Sequence, residues 1–140
     1  MACDDGTLPH DSYLAQWDRH FVAASEKLGA STKSATWHKQ ALIDAGFQDV
    51  VQVEYKWPTN PWPLDAKHKE IGKELWLGTG ESANPESGTW TLVNIEAGIQ
   101  ALSLMLFTNV LGWTASEVET FLVGVRKDLR NKSIHAYWPM

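Results

Sequence analysis

Apolar residues recur at helical spacing near the start of the chain. Leu14, Trp17, Phe21, Ala24 and Leu28 fall on one stripe, Asp11 or Ser12 stands where a cap belongs, and Gly29 suits the position just past the end. The spacing predicts a helix from there to about Leu28. A polar break, Ser31 to Ser34, precedes a second short helix near Ala35 to Ala45, which Gly46 stops. Phe47 then leads into Val50-Val51-Gln52-Val53-Glu54-Tyr55, rich in β-branched residues and read as a strand. The segment Trp57-Pro58-Thr59-Asn60-Pro61-Trp62-Pro63 cannot be helix or central strand, because its prolines fix φ and remove donors.

Beyond it, a helix is expected from about Leu64 to Leu77 and a loop over Gly78 to Gly88. Trp90 to Leu111 is the longest apolar segment. A membrane span needs about 20 nearly uninterrupted apolar residues. Asn94, Glu96, Gln100 and Asn109 interrupt this one, so the pattern predicts a central buried helix, ended by Gly112-Trp113. Thr114-Ala115-Ser116-Glu117 is a capping box opening a helix that turns Val118, Phe121, Leu122, Val125 and Leu129 inward. Arg126, Lys127 and Arg130 stand in its last turns, where cations oppose the helix dipole favourably. An extended tail, Ile134 to Met140, closes the chain. The whole reads as a single domain over 1–140, mainly α (α+β), with one to three short strands.

Composition narrows the function. The net charge is −5 with no run of Lys or Arg, which argues against a nucleic-acid partner. The single Cys3 excludes an internal disulfide framework and fits a reducing compartment, and the acidic first residues lack the apolar core of a signal peptide; a cytoplasmic protein is expected. The anomaly is eight Trp in 140 residues. Several fill the core in the plain reading; in the sharper one, some line an apolar pocket or a subunit interface.

Three stretches carry a resemblance. They are Asp4-Asp5-Gly6-Thr7-Leu8-Pro9 with the helix through Trp17; Leu42-Ile43-Asp44-Ala45-Gly46-Phe47-Gln48-Asp49-Val50; and Leu104 to Trp113, continuing through Val125 to Leu129 and on to Ile134-His135-Ala136-Tyr137-Trp138-Pro139. In order and spacing they resemble the C-terminal half of the fungal S-adenosylmethionine-dependent methyltransferases similar to the secondary-metabolism regulator LaeA. The Leu64 to Gly88 region departs from the pattern. The resemblance implies that the cofactor belongs to the other half, with its glycine-rich turn and ribose-binding acid. Neither feature is found in this sequence, so no cofactor is expected. Helices that would pack on the lost sheet should expose apolar faces, and a homodimer is expected to cover them.

The histidines, His10, His20, His38, His68 and His135, form no HxxxH or HExxH pair, and Cys3 has no Cys partner, so no metal is expected. By the resemblance, the retained part forms the lid and the substrate side of the cleft, with Asn94, Gly98 and Ser103 on the lid helix and His135, Tyr137 and Trp138 in the final motif. His135 suits proton transfer because imidazole titrates near neutrality; the competing reading is a structural His anchoring the tail. Glu96, in the most apolar helix, would be protonated by burial and act as a donor, or else face solvent. His20 is a further catalytic candidate beside Phe21. Trp57, Trp62 and Trp90 are candidates for walling a pocket, or for packing on a neighbouring helix.

These observations point to an enzyme of fungal natural-product biosynthesis that works without a cofactor. It would be a cyclase, including pericyclic ring closure of the Diels–Alder type, holding a hydrophobic small molecule in an apolar Trp-lined pocket with a few donors. The alternatives are a non-catalytic binding or regulatory partner of a full-length methyltransferase, or one half of a split methyltransferase. No membrane partner is expected.

Overall fold

A computed structural model describes residues 1–32, 35–62 and 87–139 of the chain. Helix α1 spans Tyr13–Lys27, and of its two candidate caps Ser12 takes the role: its hydroxyl accepts from the Ala15 amide at 3.2 Å. A second orphan donor of that turn, the Leu14 amide, is met from across the molecule by Asp128 at 3.1 Å. Helix α2 covers Ala35–Asp44 and helix α3 covers Ser87–Leu111. Helix α4 covers Ala115–Arg130, opened by the expected capping box in which Thr114 and Glu117 satisfy each other's backbone amides. Gly112, at φ 77°, makes the left-handed turn between α3 and α4 and lets the Trp113 amide reach back to the Phe107 carbonyl at 3.0 Å.

The core lies where α1, α3 and α4 meet. Leu14, Trp17 and Ala24 of α1 pack with Ile99, Leu106 and Phe107 of α3 and with Val118, Leu122, Val125 and Leu129 of α4. The stripes read from the sequence are the faces that make this core, apart from Phe21 and Phe121, which are only half-buried, and Leu28, which is exposed. One buried polar bond ties α1 to α3: the Trp17 indole donates to Ser103 Oγ at 2.8 Å, and Ser103 donates to the Ile99 carbonyl at 2.6 Å.

Three expectations change. The strand read at Val50–Tyr55 is not in a sheet: the segment is extended and exposed except at Val50, which is half-buried. The sheet uses the next residues instead. Strand β1, Lys56–Pro58, pairs antiparallel with β2, Tyr137–Pro139, in the register Lys56 to Pro139, Trp57 to Trp138 and Pro58 to Tyr137. Proline at the end of so short a strand costs no ladder bond, and the backbone of Ala2 bridges β2 on its other side. Second, α3 is half-buried and not a central buried helix, because no described element covers its outer side, where Trp90, Val93, Leu102 and Met105 stay exposed. It is long and apolar enough to cross a membrane by length and composition, yet its other side is the floor of the core. Third, Ser87 and Gly88, read as the end of a loop, belong to its first turn. The helix expected over Leu64 to Leu77 and the rest of that loop lie outside the described residues.

Gly88 has a steric reason. A Cβ there would meet the Asn60 carbonyl oxygen at 2.1 Å, a backbone atom that cannot step aside. Glycine to alanine at an exposed helical position gains roughly 0.5–1 kcal/mol. Gly88→Ala is expected to reverse that sign and lose at least about 1 kcal/mol, measured by urea unfolding; a stabilised variant would refute the close approach.

Candidate functional site

The two short strands divide the expected site residues between two faces. Side chains alternate along a strand. Trp57 and Trp138, opposite each other, turn toward the helices: the Trp57 indole donates to Thr91 of α3, and Trp138 packs against the core. Tyr137 and Lys56 take the outer face, where the Lys56 ammonium lies 5.0 Å from the centre of the Tyr137 ring.

The outer face is completed from both ends of the chain. His135 precedes β2. Its Nδ1 lies 2.6 Å from Asp5 Oδ2, and its amide donates to Thr7 Oγ1 at 2.8 Å. Asp5 Oδ1 receives the Thr7 hydroxyl at 2.8 Å, the Thr7 amide at 3.1 Å and the Cys3 thiol at 3.2 Å. Asp5, Gly6 and Thr7 thus form an Asx turn that aims a carboxylate at the imidazole. The hydrogen bond with His135, followed by those from Thr7, holds the Asp5 carboxyl far below the usual carboxylate range. Its neighbour Asp4 accepts from Lys56 and, at 2.7 Å, from the Tyr137 hydroxyl. These bonds lower the Asp4 carboxyl, Lys56 foremost. The bond to Asp4, with some burial, raises the Tyr137 phenol and keeps it protonated.

Trp62 forms the wall. Its ring stacks on His135 at 4.9 Å between centroids and 26° between planes, while its indole donates to the Ala136 carbonyl at 2.9 Å. The loop that carries it is pinned by Thr59, whose amide and hydroxyl both reach the Ala136 carbonyl at 3.0 Å. Buried Asn60 donates to the carbonyls of Asn131 at 3.1 Å and Ile134 at 3.2 Å. His135 is therefore clamped by a carboxylate at Nδ1 and by an indole on its face. A carboxylate partner favours the tautomer with the proton on Nδ1, leaving Nε2 as the basic atom of the neutral ring.

The structure thus brings His135, Tyr137 and Trp62 together and places the other candidates elsewhere. Tyr137 is already a donor to Asp4, so its hydroxyl is not free to polarise a carbonyl. Glu96 accepts from Arg130 Nε at 2.5 Å. It is one arm of an ion pair, because α4 brings a guanidinium to it, and so is not the free donor of one reading of the sequence. Ser103 is buried between Trp17 and its own helix and holds α1 to α3. Asn94 and Trp90 are exposed on the outer side of α3, and a Cβ at Gly98 would meet nothing, so that turn is open. His20 contacts Trp113 at 5.1 Å and Phe107 and Phe121 at 6.0 Å, all edge-on. Burial, then the charge of Arg19, hold its imidazole below the usual value. Two of those rings, Trp113 and Phe121, line an open groove of about 440 Å³ with Tyr13, Ser116, Glu117 and Thr120.

The sequence reading missed Asp4, Asp5, Thr7 and Lys56 as site residues. The signal was an Asp-Gly-Thr turn inside the first stretch of the resemblance, but only the fold shows that it meets a residue 130 positions away.

The resemblance implies S-adenosylmethionine. The described residues do not fit it. Their sheet is one antiparallel pair, with no parallel strand leading through a glycine-rich turn into a helix. The acids that might take ribose hydroxyls, Asp4 and Asp5, are saturated by Lys56, Tyr137, His135 and Thr7.

Two outcomes follow. Since Asp5 binds its proton more weakly folded than unfolded, its contribution to stability is complete above the ordinary value of 3.8 and fades as pH falls through the lowered folded value. Asp5→Asn should melt below wild type at pH 7, and the gap in Tm should begin to narrow as pH falls below 3.8 and keep narrowing towards the lowered folded value; a gap constant with pH would sink this account. Ser103→Ala strands a buried indole N–H and should cost about 1–3 kcal/mol in urea unfolding, while Asp5 and His135 stay paired by NMR.

Comparison with known proteins gives a consistent family. The chain is 34% identical over 140 residues to the probable methyltransferase tdiE of Emericella nidulans, covering all of this chain and 39% of that protein. It is 33% identical over 136 residues to the methyltransferase pytC of Aspergillus terreus, covering 97% of this chain and 37% of that one. The secondary metabolism regulator LAE1 of Cochliobolus heterostrophus is 31% identical, with 96% and 39% covered. No family model matches the chain, and no solved structure does. The chain spans under two fifths of the length of these relatives, and over its own length it is similar to these fungal methyltransferases and to this regulator of secondary metabolism.

Proposed function

We propose that the chain acts on an apolar small molecule in fungal secondary metabolism, through acid–base chemistry at His135 and without a cofactor. The observation that supports this reading is the clamped imidazole. Asp5 at Nδ1 orients the ring, and Trp62 fixes its plane. A carboxylate behind a histidine is the arrangement that makes Nε2 a proton acceptor in one step and a donor in the next.

The reaction class that fits is cyclisation. His135 Nε2 removes a proton from a carbon beside a carbonyl, the carbanion closes on a second carbonyl within the same molecule, and the proton returns to the new alkoxide. One C–H bond and the π bond of the attacked carbonyl break, one C–C and one O–H bond form, and the mass of the substrate is unchanged. Trp62 offers a flat apolar surface on which an unsaturated chain can lie folded, and holding the reacting atoms close lowers the barrier by several kcal/mol. Two relatives are named methyltransferases and a third a secondary metabolism regulator, which supports the proposed setting, and this chain would use the scaffold for a different step.

The full chain, incubated with a linear polyketone ester and followed by liquid chromatography and mass spectrometry, should convert it to an isomer of equal mass. His135→Ala should lower the rate about a hundred- to ten-thousandfold, and Asp5→Asn should lower it less. An isomer formed equally by His135→Ala, or a product that appears only with S-adenosylmethionine and is heavier by one methyl group, would overturn the reading.

A further inference from the structure

Between α2 and β1 the chain carries a strand without a sheet. Residues 50–55 run with no turn or bend, and among the described residues none of them makes a backbone hydrogen bond. Gln52 donates to Glu54 at 2.9 Å, side chain to side chain across two residues, as neighbours on one face of an extended strand do. Val51, Val53 and Tyr55 fall on the other face, where Val51 is 81% exposed and Val53 59%. The segment leading into it is equally open: Trp37, Leu42, Ile43 and Phe47 are all exposed. Six residues of strongly β-forming sequence with unpaired amides and carbonyls are a pairing edge, and native proteins normally cover such an edge.

We infer that Val51–Tyr55 pairs antiparallel with the same segment of a second copy of this chain, across a two-fold axis through Val53. The register follows from the side chains. About that axis Val53 faces Val53, Val51 faces Tyr55, and Gln52 faces Glu54. Every position then has a compatible partner: a β-branched pair at the centre, an aromatic on a β-branched residue at each end, and an amide opposite each carboxylate. The parallel in-register alternative sets Glu54 against Glu54 and is disfavoured for that reason. The antiparallel contact is also isologous, so it closes after two chains instead of growing into a filament. The surface lies outside the His135 face, and the inference does not depend on the proposed reaction.

The test is the mass of the full chain in solution. Sedimentation equilibrium at micromolar concentration should give twice the mass of one chain. Hydrogen exchange should show amides 51, 53 and 55 or 52 and 54 protected in alternation, with protection lost on dilution. Val53→Lys puts two ammonium groups face to face on the axis and should give a monomer with unchanged helical circular dichroism, while Val53→Thr keeps the branched Cβ and the dimer. A monomeric wild type, including one that pairs only when a full-length methyltransferase relative is added, would overturn the inference. So would a dimer that survives Val53→Lys, or one whose 51–55 amides exchange freely.

Discussion

Three carbonyls organise the long-range structure. Those of Asn131, Ile134 and Ala136 accept from Asn60, Thr59 and Trp62, and this binds the loop after β1 to the segment between α4 and β2. The proline-bounded loop is stiff, so little conformational entropy is lost when it docks. Backbone acceptors also keep the contact indifferent to which side chains follow them. His135 sits in the middle of the accepting segment, and its ring is flanked by the same Trp62 that makes the last of these bonds. Its orientation is a by-product of how the tail is tied down. One atom in the clamp is left over: Asn60 Oδ1 is buried without a partner, an unfavourable group of about 1–3 kcal/mol that the two donated bonds of the same amide must outweigh.

The helices were legible in the sequence because each carries its own local instructions. Ser12, Gly112 and the Thr114–Glu117 box act within one turn of themselves, and the stripes of α1 and α4 face the core they encode. The strands were not. Val50–Tyr55 has the stronger β-forming composition, but pairing is a property of two segments, and β2 lies opposite Lys56–Pro58. The docked Thr59–Trp62 loop sets that register from one side, so local propensity lost to a tertiary constraint. The site divides in the same way. His135, Tyr137 and Trp62 could be singled out as residue types, but Asp4 and Asp5 look like solvated acids until the fold lays them on β2. Glu96 left two readings open, burial or solvent, because its partner Arg130 belongs to another helix.

The two open surfaces differ in kind. The outer side of α3 is apolar but already hydrogen-bonded within itself, and tolerates water at the cost of some hydrophobic area. Residues 50–55 leave backbone groups unpaired as well, and water satisfies those groups but does not order them. Of the two, only the second carries directional information, since a ladder fixes register, polarity and symmetry at once. Homologues more than twice as long have further chain with which to meet both surfaces.

The bond between Asp5 and His135 closes a loop of nearly the entire chain. Contacts of such sequence separation are the last to be rewarded during folding, because the entropy of closing the loop comes before any gain. Helices α1, α3 and α4 can collapse first on local signals and bring the two ends near. The imidazole acquires its carboxylate only after they have done so. A partly folded or nicked chain would keep its helices and have no paired histidine, so the Asp5–His135 pair is assembled only in molecules that have completed the fold.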